Sequence, residues 1–437
     1  MAALDSSTDV VIIGGGIIGC ATAYHLARRG VAVTLVEKGP IGYEQSTRNW
    51  GWVHQQVRYP HLIPLAVESV RMWDSLAGDL EADVGWIQGG NLTLGFAAAD
   101  LAEFERWGET ARRAGLETTV LARNQVVDML PGMAGMQGSW TGALHLPTDG
   151  QADPDLVTAA FARAAERHGA HILNDCAATA VDTTGGAVSG VLTERGPIRA
   201  SQVIVAAGAW SGRLARPLGV RFPQRSVRST VVRTEPVDPV TAVTGWGDGF
   251  TFRQDRAGRF VLAGGEAAIY DVDLGLFRDM RWFLPLAWRN RRWLRMRVGR
   301  SLLGDVAASL PGLSARREFW ERRRKIDPPA DAKGARQTLA RFHQAFPGLA
   351  GAGMESAWAG NIDSTPDQAP VLGPAASGPT GLFLATGFSG HGFALGPAAA
   401  RLVADLVLGD EPPVDPHPFR HARFAERDVP VVVVHRR

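Results

Sequence analysis

The chain opens with short, wholly apolar runs separated by glycines, a pattern typical of buried parallel strands. Residues 10–13 form the first run and residues 31–36 the second. Between them, residues 20–29 carry Ala23, Leu26 and Ala27 on one helical face, and Gly30 ends the predicted helix. The pattern therefore predicts a strand–helix–strand unit in this part of the chain.

Helical and strand periods alternate through the next segments. Residues 61–80 and 100–114 have the spacing of amphipathic helices, with a predicted strand within 86–96. Another helix is predicted after an N-cap at Asp153, with Pro154 in its first position and Gly169 beyond its end. Strands are predicted at 171–173 and 188–193, and a buried strand from 203 ends in a small-residue turn at Ala207 and Gly208.

The pattern changes at residue 225. Apolar and polar residues then alternate, as expected for an antiparallel sheet with one exposed face. An arginine-rich run at 276–303 is predicted to be helical. A buried strand beginning at 381 then leads through a glycine turn into a helix, with Pro397 near its start and Gly409 at its end.

Parallel-strand patterns thus occur at the start, middle and end of the chain, with antiparallel patterns between them. We therefore predict an α/β architecture (α+β overall) in which two domains interleave in sequence. A Rossmann-like nucleotide-binding domain would comprise 1–90, 148–225 and 335–437. A mixed, largely antiparallel substrate-binding domain would be inserted as 91–147 and 226–334.

Composition narrows the class of protein. The chain has 437 residues, comfortable for two domains, and its formal net charge of +2 gives no reason to expect nucleic acid as a partner. Its two cysteines, Cys20 and Cys176, form neither a disulfide framework nor a metal-ligand spacing, which fits a reducing cytosol. Since no signal peptide and no apolar segment of about 20 residues is visible, we expect a cytoplasmic protein.

The first glycine-rich turn has the spacing of a dinucleotide-binding motif. Gly14, Gly16 and Gly19, with Ile17 and Ile18 between the last two, form G-x-G-x-x-G after a predicted strand. Glu37 ends the second strand, where its carboxylate can accept hydrogen bonds from a ribose. The order of strand, turn, helix, strand and acid predicts dinucleotide binding, and leaves NAD and FAD as alternatives.

A second glycine-rich turn favours FAD. Gly387, Gly390 and Gly392 surround His391 just before a helix, so the backbone amides there would lie near the positive end of the helix dipole. A flavin that accepts a hydride develops negative charge along one ring edge, which such an end would stabilise. A nicotinamide has no such edge. His391 is predicted to contact the flavin or substrate or to carry a proton, with passive packing as the alternative.

The ordered motifs make the chain resemble the FAD-dependent D-amino-acid oxidase, glycine oxidase and sarcosine oxidase superfamily. They are "VVIIGGGIIGCATAYHLARRGVAVTLVEKG", "STRNWG", "DGQADP", "VIVAAGAWS", "IDSTPDQAPVLG" and "GFSGHGFALGPAAARLVADLV", in the family's order over essentially the whole length. The resemblance implies FAD bound between the two domains. It also implies oxidation of an amine or amino acid by hydride transfer to flavin N5, giving an imine that water hydrolyses.

The resemblance also implies cofactor contacts along the chain. The adenosine and phosphate part would be held around the first turn and Glu37, and the flavin along the segment after it. The diphosphate–ribitol part and the pyrimidine edge would lie at the two later turns. The implied residues are Gly14, Gly16, Ile17, Ile18, Gly19, Glu37, Lys38, Ser46, Thr47, Arg48, Asn49, Trp50, Gly51, Val181, Ala207, Gly208, Trp210, Gly387, Gly390, His391, Gly392 and Phe393.

Two departures from the family pattern bear on the chemistry. Some members attach flavin to a cysteine just before "TPD", and this chain has none there, so we predict non-covalent FAD. The same members carry a lysine after "GHGF" that helps flavin react with oxygen, and this chain has Ala394. An oxidase therefore stays beside an alternative, a dehydrogenase subunit of a larger complex that passes electrons to another acceptor, for example from an opine or imino acid.

An amino-acid carboxylate would need a cation, and Arg48, Arg58 and Arg253 are the candidates. With His391, Arg48 and Arg253 complete the predicted catalytic set. The run 276–303 combines eight arginines with Trp282, Trp288 and Trp293. It could contact a membrane surface or an electron acceptor. We favour the simpler interpretation, a helical insertion that packs through Trp and Leu and exposes a basic face.

Overall fold

The computed structural model describes residues 6–56, 60–136, 138–264, 268–272, 275–289, 291, 294–297 and 317–429. Arg58 and part of 276–303 lie outside the described residues. The helices are Ile17–Ala27, Gln45–Arg48, Ile63–Asp79, Ala98–Arg113, Arg123–Met129, Pro154–Arg167, Ser211–Ala215, Gly275–Arg289, Arg317–Glu321, Ala332–Ala345, Gly392–Leu408 and Arg423–Glu426.

The strands fall into four sheets. They are Ser6–Ser7, Val10–Ile13, Val33–Val36, Trp52–Val53, Asn91–Gly95, Thr119–Ala122, Gly142–Leu146, Gly150–Gln151, His171–Leu173, Ala178–Thr184, Ala187–Thr193, Gly196–Arg199, Gln202–Val205, Arg225–Pro236, Thr244–Gly247, Phe250–Gln254, Arg259–Gly264, Ala268–Asp271, Leu294–Arg297, Met354–Ser364, Val371–Pro374 and Leu382–Thr386.

A six-stranded sheet forms the first layer. Its inner strands are parallel, with Ile12 opposite both Ile204 and Leu35, and only the edge strand Val371–Pro374 runs antiparallel. Helices Ile17–Ala27, Pro154–Arg167 and Gly392–Leu408 share one buried core with this sheet. A four-stranded sheet packs on its other face through a second core. This topology confirms the predicted Rossmann-like domain.

A ten-stranded, largely antiparallel sheet forms the second layer. Arg225–Pro236 is its longest strand and pairs along its length with Met354–Ser364. Helix Ala332–Ala345 covers one face, with Phe342 and Phe346 packed on Phe260. The predicted domain boundaries remain a proposal. Strand Met354–Ser364 lies in the segment 335–437, which we predicted for the nucleotide-binding domain, yet it pairs within the second sheet.

Three predicted elements differ in detail. The first helix begins at Ile17 rather than at residue 20. All of its residues are buried, so its contacts with the core are not confined to the predicted apolar face. The helix in the run 276–303 ends at Arg289, and Leu294–Arg297 is a strand paired with Ala268–Asp271. Pro397 lies inside helix Gly392–Leu408, whereas Gly409 ends it with φ +76°, as predicted.

Within the described ranges, no helix combines the length and the apolar character that crossing a membrane would require.

Candidate active site

The first glycine loop, Gly14–Gly19, packs too tightly for a side chain at Gly14 or at Gly19. A Cβ on Gly14, whose φ is +114°, would lie 2.4 Å from the carbonyl oxygen of Ala206. A Cβ on Gly19 would lie 1.9 Å from the carbonyl oxygen of Gly14. The loop therefore brings the start of helix Ile17–Ala27 against the ends of two parallel strands. There the Ile17 amide donates to Ser46 Oγ at 2.9 Å.

Glu37 lies at the end of strand Val33–Val36 and faces this loop. Its Oε2 accepts a hydrogen bond from the Gly15 amide at 2.7 Å, and its Oε1 accepts one from Gly39 at 2.9 Å. Burial raises the pKa of Glu37, and the two amides oppose that rise. Each carboxylate oxygen keeps a further lone pair that can accept from a hydroxyl group.

Lys38 belongs to a small polar and aromatic cluster beside the loop. Its ammonium pairs with Glu44 and donates to the carbonyl oxygen of Arg323 at 2.7 Å. Glu44 also accepts from Trp210 Nε1 at 3.2 Å, and the ammonium lies 5.2 Å from the Trp210 ring. Trp210 follows the turn at Gly208, so this cluster joins the ends of two strands.

Asp363 holds the second glycine loop, Gly387–Gly392. Its Oδ2 accepts from the Gly387 amide at 2.7 Å and from Thr386 Oγ1 at 2.8 Å, and its Oδ1 accepts from Gln224 at 2.6 Å. Burial raises the pKa of Asp363, whereas these three hydrogen bonds favour its ionised form. His391 is the N-cap residue of the helix that follows.

The two loops open onto one cavity of about 1860 Å³. Most of the predicted site residues line it, although they come from distant parts of the sequence. Those that do are Gly14, Gly16, Ile17, Ile18, Glu37, Lys38, Ser46, Arg48, Asn49, Trp50, Ala207, Gly208, Trp210, Gly390, His391, Gly392 and Phe393.

Six predicted residues lie outside the described lining. Gly19 and Gly387 belong to the two loops, where a Cβ would clash with Gly14 and with Thr365, respectively. Val181 packs in the core under the four-stranded sheet. Thr47 donates to the Gly42 carbonyl oxygen at 2.9 Å. Gly51 and Arg253 lie behind Trp50, where a Cβ on Gly51 would come within 2.7 Å of the guanidinium.

The two described arginine candidates are both engaged. Arg48 lines the cavity, but its Nη1 is 2.7 Å from Asp327 and 3.0 Å from the carbonyl oxygen of Ala359. Arg253 donates to the carbonyl oxygen of Trp50, and burial lowers its pKa. Together with Asp153 and Asp155 it lines a separate polar cavity of about 50 Å³.

Another arginine, Arg225, lines the large cavity and was missed by sequence reasoning. Its guanidinium pairs with Asp279 and donates to the carbonyl oxygens of Gln224 and Gly275. The alternation along strand Arg225–Pro236 could have predicted its position. Every second residue of a strand lies on the same face, and Val227, Ser229 and Val231 line the cavity together with Arg225.

An aromatic wall lines one part of the cavity, and of its residues only Trp50 was predicted from the sequence. His54 stacks on Trp52 with ring centroids 3.7 Å apart, and Trp52 lies 4.8 Å from Trp50 and 5.6 Å from Trp246. Burial, and secondarily the nearby His391, hold the pKa of His54 well below its usual range. The wall is therefore uncharged at neutral pH. The alternation of Trp50, Trp52 and His54 in "NWGWVH" is the signal that could have predicted it.

Comparison with known proteins assigns the chain to a protein family. The model of the FAD-dependent oxidoreductase (DAO) family matches residues 9–406. Glycine oxidase of Geobacillus kaustophilus is 26% identical over 95% of this chain and 97% of its own length. Human mitochondrial sarcosine dehydrogenase is 27% identical over 96% of this chain and 42% of its own.

A solved structure is also similar over nearly its whole length. It is L-amino acid deaminase from Proteus myxofaciens in complex with anthranilate, with a TM-score of 0.90, 28% identity, and coverage of 97% of this chain and 95% of that one. The family, fold and cofactor predicted from the sequence are thus confirmed. The chain belongs to the DAO family of FAD-dependent oxidoreductases.

Proposed function

We propose that this chain oxidises the C–N bond of an amino acid whose side chain is large and apolar, with FAD as the hydride acceptor. The observation that carries the proposal is the single cavity that joins both glycine loops to the aromatic wall. At about 1860 Å³ it exceeds the roughly 300–1,000 Å³ of ordinary ligand pockets, so it has room for an extended dinucleotide and a substrate.

The residues present fit FAD. Gly14 and Gly19 allow the tight turn and the close packing of the helix, and Gly16, which lines the cavity, would let a phosphate approach the backbone at the start of helix Ile17–Ala27. Glu37 would accept from the adenosine ribose, and a negative charge there disfavours a 2′-phosphate. Ser46, Asn49 and the turn at Gly208 would hold the middle of the cofactor. The predicted contacts Thr47, Gly51, Val181 and Gly387 lie outside the described cavity lining, so they would support the residues that contact FAD.

Bound FAD supplies an acceptor, flavin N5, for the hydride on the carbon next to nitrogen. The chain's share is placement and electrostatics. Helix Gly392–Leu408 directs its N-terminal amides toward the cavity, where they stabilise negative charge. Because Asp363 anchors Gly387 and Thr386, this helix end is fixed before substrate binds. Preorganised dipoles of this kind lower the barrier without reorganising during the reaction.

The cavity wall suggests the substrate class. Trp50, Trp52 and Trp246 offer apolar faces, and His54 stays neutral, so a charged side chain would gain no partner there. Arg225 is the cation we propose for the substrate carboxylate, with Asp279 as its counter-ion when substrate is absent. Neither His54 nor His391 needs to be charged for hydride removal from a neutral amine.

A dehydrogenase is the second candidate for the fate of the electrons. Ala394 stands where some family members carry the lysine that helps flavin react with oxygen. It lies outside the described cavity lining, and its carbonyl oxygen accepts from Ser69 at 2.6 Å and Trp73 at 3.1 Å. In addition, Trp288 and Arg291 of the segment 276–303 reach from the cavity lining to the surface. An electron acceptor or a membrane surface contacted by this segment would therefore lie near the cavity. We propose a cytoplasmic location, since both cysteines are unpaired and buried.

An anaerobic reduction screen tests the proposal. Purified protein loaded with FAD is mixed with aromatic, aliphatic and charged amino acids in D, L and N-methyl forms, and flavin absorbance is recorded. Bleaching by large apolar amino acids, and little by charged ones, is the expected result. Trp246→Ala should weaken the response to aromatic substrates while leaving alanine unchanged. Flavin that dithionite bleaches but no amine does would refute the assignment. Reoxidation by oxygen against an artificial acceptor separates oxidase from dehydrogenase.

A further inference from the structure

Large exposed hydrophobic residues concentrate on one helix. Met280, Leu284 and Trp288 are 48%, 58% and 67% exposed, and they follow each other at four-residue spacing along helix Gly275–Arg289. Residues so spaced lie on one helical face. Met296, on the strand after this helix, is 58% exposed as well. We call these four residues the apolar ridge.

The ridge is the outer face of a helix whose inner face is anchored. Asp279 pairs with Arg225 of the ten-stranded sheet, and Trp282 lies edge-on to Phe424 with ring centroids 6.0 Å apart. Phe283 and Leu286 line the cavity. Packing through Trp and Leu, as the simpler sequence interpretation expected, thus accounts for one face only. The ridge stays exposed although the helix is docked.

Positive charge surrounds the ridge, although Arg278 lies 3.5 Å from Asp279 and Arg295 lies 3.5 Å from Asp331. Five exposed arginines accompany it, and between Met280 and Arg297 the chain has no Asp or Glu. The whole chain carries a formal charge of only +2, so the positive charge is concentrated here. The exposed arginines are Arg278, Arg281, Arg291, Arg295 and Arg297.

We propose that the apolar ridge and these arginines dock the protein on the surface of an anionic lipid bilayer. An apolar helical face flanked by arginine and tryptophan is the arrangement that inserts at the boundary of headgroups and acyl chains. Anionic headgroups attract the arginines over about a Debye length. A second copy of this chain is disfavoured, because a two-fold contact would bring the two sets of arginines together.

Docking would place the cavity against the membrane. Trp288 and Met296 belong both to the ridge and to the cavity lining, and Ala287 and Arg291 line it between them. A lipid-dissolved electron acceptor or an apolar substrate would then reach the cavity without crossing bulk water. The inference goes beyond the proposed oxidation. Membrane docking can be refuted while the proposed oxidation still holds.

Vesicle flotation of FAD-loaded protein tests the inference. Vesicles of phosphatidylcholine with phosphatidylglycerol should carry the protein upward, vesicles of phosphatidylcholine alone much less, and added salt should release it. Met280→Glu combined with Leu284→Glu, neither of which lines the cavity, should weaken binding about tenfold or more. Arg281→Gln combined with Arg297→Gln should weaken it mainly at low salt.

Matched controls use exposed residues elsewhere. Leu192→Glu with Val240→Glu, and Arg106→Gln with Arg112→Gln, should bind vesicles like the wild type. Equal binding by the ridge variants and wild type, or no binding to either vesicle, would overturn the inference. So would a dimer in sedimentation that the ridge variants dissociate. Flavin reduction by substrate, followed with a soluble acceptor, should be unchanged in Met280→Glu/Leu284→Glu, which separates this test from that of the proposed activity.

Discussion

The Asp363 carboxylate accepts a hydrogen bond from the Gly387 amide at 2.7 Å, which joins the ten-stranded sheet directly to the second glycine loop. The same carboxylate accepts from Thr386 and Gln224, and Gln224 in turn donates to the Gly208 carbonyl oxygen at 3.0 Å. One buried side chain therefore ties the loop to the turn after a parallel strand. Both structures line the proposed flavin site.

Asp363→Asn should loosen this junction. The substitution replaces one carboxylate oxygen, which accepts hydrogen bonds, by an NH2 group, which can only donate. One charge-assisted hydrogen bond, worth about 1.5–3 kcal/mol, would therefore be lost. We expect the dissociation constant of FAD to rise about tenfold or more, measured by titrating apoprotein with FAD and following flavin fluorescence. Thr386→Val, which removes one donor and keeps the charge, should have a smaller effect. Unchanged affinity in both variants would contradict the anchoring role.

Gly19→Ala should disrupt the first glycine loop, because its Cβ would lie 1.9 Å from a backbone oxygen that cannot move freely. We expect a loss of about 3 kcal/mol or more in the free energy of unfolding, together with loss of bound FAD. Gly78→Ala is the matched control, since Gly78 is also helical and a Cβ there meets nothing within 4 Å. It should stabilise by up to about 1 kcal/mol. Urea unfolding of both variants checks the contrast.

Asp149 should make stability depend on pH. Burial raises its pKa from 3.8 to about 7, and among the residues that the structure describes only Gln55 donates to its carboxylate. Because the folded pKa is the higher one, this contribution to stability is complete below pH 3.8 and is lost as pH rises through about 7. The loss is about 1.4 kcal/mol for each pH unit between the two pKa values.

Asp149→Asn removes that dependence. The free energy of unfolding of the variant, relative to wild type, should therefore be higher at pH 8 than at pH 5. Urea unfolding at both pH values measures the difference. Asp128→Asn, at an exposed position on helix Arg123–Met129, should leave the pH dependence as it is. A relative stability of Asp149→Asn that does not change with pH would show that Asp149 is ionised throughout.

Arg225 should recognise the substrate carboxylate. Replacing the buried pair together, as Arg225→Gln with Asp279→Asn, avoids leaving one unpaired charge. KM for an amino-acid substrate should then rise about 10- to 100-fold, the equivalent of one charged hydrogen bond. KM for the matching amine without a carboxylate should change little.

Arg253→Gln provides the comparison for that experiment. This guanidinium lies outside the large cavity and donates to the Trp50 carbonyl oxygen, so its loss should lower thermal stability more than substrate discrimination. If instead Arg253→Gln raises KM selectively for carboxylates and the Arg225 variant does not, the role belongs to Arg253.

The sequence by itself determined the local chemistry of this protein. Apolar runs, glycine spacing and Glu37 specify a strand, a turn without room for side chains and an acid at a strand end, because each depends on neighbours within about 30 residues of chain. The same holds for the helix cap at Asp153, whose carboxylate accepts from the Asp155 amide as predicted. Family, fold class and cofactor followed from the order of such motifs.

Only the tertiary structure decided which charges are available and which surfaces are covered. Arg48, Arg225 and Arg253 look alike in sequence. Their partners Asp327, Asp279 and Trp50 lie 279, 54 and 203 positions away along the chain, respectively. Asp363 likewise gains its role from donors on other elements. The apolar ridge is visible only once one face of its helix is buried. Pairing and burial depend on distant segments that the fold brings together, and a local pattern carries no record of them.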